Sequence, residues 1–214
     1  MTHSDFVPKR ILSGRIFSGQ LPAPKGDNLE ALAHLSKPHD IVAFLRKEQR
    51  HGTNAIMTMG EEKVVAALKK LKHQGNSMTV LPIIPNVPGY VREATEYGLV
   101  GAGLRRLLRV GPMGFFRAGL VAARHPLKVL KKDFPTMLKA LYEIEMGEFG
   151  RLKPPAVFLH HQMTDLFLSF QNREFFADYE RIMRLDFKTR PAHATSNFAA
   201  LAQKLEEWDI PIKI

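Results

Sequence analysis

Two adjacent histidines and an aspartate, His160, His161 and Asp165, are the part of this chain best equipped to move a proton. An imidazole ordinarily titrates near neutrality and can act as acid or base. A carboxylate close by can orient the ring or balance its charge. The three follow a short apolar run, Ala156-Val157-Phe158-Leu159. Ligands of α/β proteins collect beyond the carboxyl ends of such strands. Strand alternation would send the two rings to opposite sides, so only one of them is expected to do the chemistry. The stretch from His161 to Asp165 is expected to be an exit loop.

Other polar residues follow apolar runs and are candidates for the same face: Asn54, Thr58, Asn86, Gln162, Thr195 and Asn197, joined by Arg15. Of these, Asn54, Asn86, Thr195, Asn197 and Arg15 are assigned to substrate binding. Asn86 also suits an Asx turn, and Thr195-Ser196-Asn197 suits a helix cap or an anion site built from backbone N–H groups. Glu145 falls near the apolar side of a helix and is placed to reach inward. A metal set drawn from one histidine, Asp165 and His193 lacks both an HExxH pattern and tight ligand spacing, so no metal site is assigned. No cofactor follows from these residues.

These residues need strands and helices to hold them. Apolar runs bounded by turn residues predict strands at Ile11–Phe17, Asn54–Met57, Thr79–Ile84, Ala156–Leu159, Pro191–Thr195 and Ile210–Ile214. Between them lie amphipathic patterns. One follows Lys37-Pro38-His39 and carries Ile41, Val42, Phe44 and Leu45. A second opens at Glu61-Glu62 and carries Val64, Val65, Ala67, Leu68 and Leu71, with lysines at its end to complement the helix dipole. A third runs from 134 to 149, a fourth follows Asn172 and carries Phe175, Phe176 and Tyr179, and a fifth follows Asn197. Pro82 lacks the N–H that a central ladder uses, which predicts an edge, a bulge or a strand end there.

Repetition of strand, polar exit and helix resembles part of the (β/α)-barrel architecture across most of the chain. That resemblance implies an α/β fold with parallel strands and a candidate site at the strand exits; an open doubly wound sheet is the alternative. No GxGxxG follows a strand and no GxxxxGK[ST] occurs. A full barrel takes roughly 250 residues, more than the 214 of this chain. One α/β domain over 1–214 is expected, with a basic helical insertion at about 99–150. Further C-terminal elements, or an oligomeric partner, would cover the last strand.

Composition limits the function classes. An apolar fraction of 45% supports a core and is too high for a disordered chain. The absence of cysteine excludes disulfides, zinc thiolates and a thiol nucleophile, and a reducing, cytoplasmic setting is expected. No apolar run reaches the length of a spanning helix, and MTHSDFVPKR lacks a secretion-signal pattern. The net charge is +10, and residues 97–132 hold eight of the arginines and lysines with no acid among them. Two functions from different classes follow. One is an intracellular enzyme acting on a small polar or phosphorylated compound by histidine and carboxylate acid–base chemistry. The other is a non-catalytic protein that binds nucleic acid or an anionic membrane through its basic 105–132 region.

Overall fold

The computed structural model describes residues 11–13, 37–86, 95–96 and 134–211. Arg15, the basic stretch 99–133 and residues 212–214 lie outside them. The described elements are five parallel strands: β1 (Ile11–Ser13), β2 (Ala55–Thr58), β3 (Thr79–Ile84), β4 (Ala156–Leu159) and β5 (Arg190–His193). Six helices alternate with them: α1 (Pro38–Arg50), α2 (Glu62–His73), α3 (Phe134–Phe149), α4 (His161–Ser169), α5 (Arg173–Arg181) and α6 (Phe198–Glu207). The hydrogen-bonded strand order is sequential, β1 to β5. Sequential order with intervening helices is that of a partial barrel. The pairings among the described residues end at β1 and β5, so the sheet is open.

Packing divides the chain into two units, Met1–Pro82 with Phe149–Pro155, and Ile83–Glu148 with Ala156–Ile214. In the first, Pro38 opens α1, where its missing N–H costs nothing. Ile41, Val42 and Leu45 recur on one face of this helix and meet Val64, Val65, Leu68 and Leu71 of α2 in a core that also takes Ile56 and Val80. Each such side chain contributes about 1.5–3 kcal/mol when fully buried. Gly52 and Gly75 follow the two helices with φ of +88° and +77°, a backbone region that glycine enters without a Cβ penalty. The amides of Gln49 and Asn76 bond reciprocally at 3.0 and 2.6 Å, tying the end of α1 to the segment after α2.

In the second unit, Val157 and Leu159 are fully buried with Tyr142 and Met146 of α3, Phe175, Phe176 and Tyr179 of α5, and Leu201 and Leu205 of α6. Asn172 caps α5 by accepting from the Phe175 N–H at 3.0 Å. The Tyr179 hydroxyl donates to the Val157 carbonyl at 2.9 Å and lies 3.3 Å from that of Ala192, so one buried phenol spans β4 and β5.

Pro82 is not on an edge strand. It is the last β3 residue paired with β2, opposite Thr58, and pairing with β4 begins at Ile83. The proline stands where β3 exchanges one partner for the other, which meets the need for a position without a ladder N–H. The strand expected from Ile210 begins differently: Ile210 is buried and its N–H closes the turn after α6 on the Leu205 carbonyl, while residues 212–214 lie outside the described chain.

Candidate functional site at the end of strand four

The site is built in the second unit, where β4 ends. Its last pairing residue is Leu159, opposite His193 on β5. The His160 N–H continues the ladder to the Ile84 carbonyl at 2.7 Å, and the Ala194 N–H does so to the Leu159 carbonyl at 3.0 Å. The backbone then turns directly into α4. His160 is the N-cap and His161 the first helical residue.

Two expectations change as a result. No exit loop separates His161 from Asp165, which are one helical turn apart on α4. Nor do the two rings point to opposite sides. Their centroids lie 4.4 Å apart with planes inclined at 32°. Period-two alternation ends with the strand at Leu159, and the turn into the helix brings the rings together.

His160 is almost completely buried, and its Nδ1 accepts the Gln162 N–H at 3.3 Å. An accepting nitrogen carries no proton, so the neutral ring has its proton on Nε2. Thr164, also buried, donates its hydroxyl back to the His160 carbonyl at 3.3 Å. This local bond restrains the first turn of α4. His161 is half-buried beside the capped ring.

Asp165 reaches the segment between β5 and α6. It accepts the Thr195 hydroxyl at 2.5 Å and the Ser196 N–H at 3.1 Å. The Thr195 oxygen in turn accepts the Asn197 N–H at 2.9 Å, and Asn197 caps α6 through the Ala200 N–H. Desolvation alone would raise the Asp165 pKa. The hydrogen bonds from Thr195 and Ser196, with the nearby His161, outweigh it and hold the carboxyl below its ordinary value. Four predicted residues, His161, Asp165, Thr195 and Asn197, are thereby linked by bonds or by charge, with the His160 ring tilted against the first of them.

Asn86 follows β3 and is buried. Its N–H donates to Glu145 Oε1 at 3.3 Å, so Glu145 does turn inward from α3. Glu148, one turn later, is buried too; sequence patterning did not single it out because Gly147 interrupts the apolar face. Asn54 and Thr58 belong to the first unit. The Asn54 carbonyl accepts the Thr79 N–H at 2.9 Å, and the buried Thr58 hydroxyl bonds the Met59 carbonyl at 3.1 Å.

His193 takes a different place. Register pairs it with Leu159, whose side chain is in the core. Its ring lies 5.3 Å from Tyr179 and 5.6 Å from Phe176. Neither ring nitrogen has a hydrogen-bond partner. Burial pushes its pKa down to about 4. Among the described residues no three histidine or carboxylate side chains come together as a metal set, and no helix is long and apolar enough to cross a membrane.

Comparison with protein-family models, curated proteins and solved structures finds no match for this chain. The class is therefore defined by topology: a parallel α/β repeat, open and of the partial-barrel kind, in general accord with enzymatic or ligand-binding function.

Proposed function

We propose that the carboxyl end of β4 is the working centre of an enzyme acting on a small polar or phosphorylated compound by acid–base chemistry. The observation that carries this reading is the pairing of a capped, buried His160 with a half-buried His161, one turn from Asp165. In this reading His161 moves the proton. His160, with its proton on Nε2, donates a hydrogen bond to a substrate oxygen. Asp165 positions Thr195 and Asn197 for substrate contact. Asn86, at the end of β3, serves the same ligand. A small anion suits a chain of charge +10, and a cytoplasmic setting suits one without cysteine.

The test is a turnover screen of the full chain against phosphorylated sugars and small organic acids. His161→Asn should lower kcat by about 10²–10⁴, the range for a lost general acid or base, with an unchanged circular dichroism spectrum. Asp165→Asn should lower it less, because the segment carrying Thr195 and Asn197 loses its anchor. Wild-type turnover in His161→Asn would contradict the assignment, as would no turnover of any compound by the native chain.

A further inference from the structure

In the first unit an open groove of about 580 Å³ is lined by Lys69, Lys70, Lys72, His73, Gln74 and Leu152. Among the described residues no carboxylate is in that lining. Arg46 enters from α1, its Nη2 donating to Gln74 Oε1 at 2.8 Å, so a guanidinium from a second helix stands at the rim. Among the described residues Arg46, Lys70 and Lys72 form no ion pair with an acid. The helix dipole explains cations in the last turn of α2. It does not explain a further cation brought there from α1. Converging like charges repel unless an anion attends them.

We propose that this groove binds a chain of linked phosphate groups, as found in a nucleic-acid backbone or in inorganic polyphosphate. Lysines offer point charges on flexible stems, which suit successive phosphates more than one fixed anion. Among the described residues the lining holds no Phe, Tyr or Trp on which a base would stack, so the proposed recognition follows the backbone and ignores sequence. The described lining shares no residue with the 105–132 stretch or with the β4 site, and the Lys70 and Lys72 substitutions leave both of those sequences unchanged.

Fluorescence anisotropy of the full chain with labelled dT15, competed by inorganic tripolyphosphate, tests the proposal. The logarithm of the affinity should fall linearly with the logarithm of salt concentration. The Lys70→Gln/Lys72→Gln variant should bind on the order of tenfold more weakly, with a slope shallower by about 1.4 for two lost contacts to a single strand. Lys63→Gln/Lys188→Gln removes the same net charge elsewhere and should bind as the native chain does. Binding of dT15 that resists tripolyphosphate assigns the site to nucleic acid; efficient displacement, with the same dependence on Lys70 and Lys72, assigns it to free polyphosphate. Equal loss in both double variants, no loss in Lys70→Gln/Lys72→Gln, or no binding of either probe would overturn it.

Discussion

Asp165 on α4 accepts the Thr195 hydroxyl at 2.5 Å and the neighbouring Ser196 N–H at 3.1 Å, so one carboxylate fixes the segment that leads into α6. Its pKa is lowered in the fold. A carboxyl with a depressed folded pKa stabilises the protein above its unfolded value, about 4, and that contribution disappears as pH falls through the folded value. Asp165→Asn should cost about 1 kcal/mol at neutral pH, modest because the group is partly in solvent. It should also flatten the acid limb of stability below about pH 4. Urea unfolding at several pH values measures both, and an unchanged acid limb would count against the clamp.

Tyr142 and Tyr179 make a paired prediction. Their rings meet edge-on at 5.7 Å and both are fully buried. The Tyr179 hydroxyl donates to the Val157 carbonyl, with that of Ala192 also near, whereas the Tyr142 hydroxyl has no hydrogen-bond partner. Burial raises the pKa of both, so both stay neutral. Tyr179→Phe should cost about 1 kcal/mol by losing the hydroxyl's hydrogen bond. Tyr142→Phe should be neutral or stabilising, since a hydroxyl desolvated without a partner is a cost removed. Chemical denaturation of the two variants decides; equal losses would contradict the hydrogen-bond assignment.

His193 runs opposite to a histidine that gains a partner on folding. Its folded pKa is near 4 against an ordinary 6.5, so the unfolded chain takes up the proton first. The native state therefore loses stability as pH falls from about 6.5 to 4, by on the order of 3 kcal/mol in total. His193→Leu should remove that loss while leaving stability at about pH 7.5 within about 1 kcal/mol of native, because no hydrogen bond is sacrificed. A variant that keeps the full acid slope would place the titrating group elsewhere.

Thr79–Ile84 and Ala156–Leu159 were legible as strands because each is an apolar run closed by turn residues, and the described bounds coincide with them. Helices α1, α2, α5 and α6 were legible from their apolar faces and flanking charges or caps. Glu145 was legible as inward-facing from its position on a helix. The relation of His160 to His161 was not, because alternation describes a strand only while it lasts, and nothing local marks Leu159 as its final residue. The Asp165–Thr195 bond joins residues thirty positions apart and depends on where β5 falls beside β4. The placement of the His193 ring beside Phe176 and Tyr179 depends on the same register, which a single sequence does not specify when both strands are short.

Whether the β4 end is a working centre is tested most directly by a ¹H–¹⁵N correlation spectrum of the histidine rings of the full chain. It is recorded without and with a compound that the turnover screen identifies. Before the compound is added His160 should show a proton on Nε2 and none on Nδ1, and the compound should shift the ring signals of both His160 and His161. A compound that is turned over while both rings remain unmoved would contradict the assignment of these two histidines to the site.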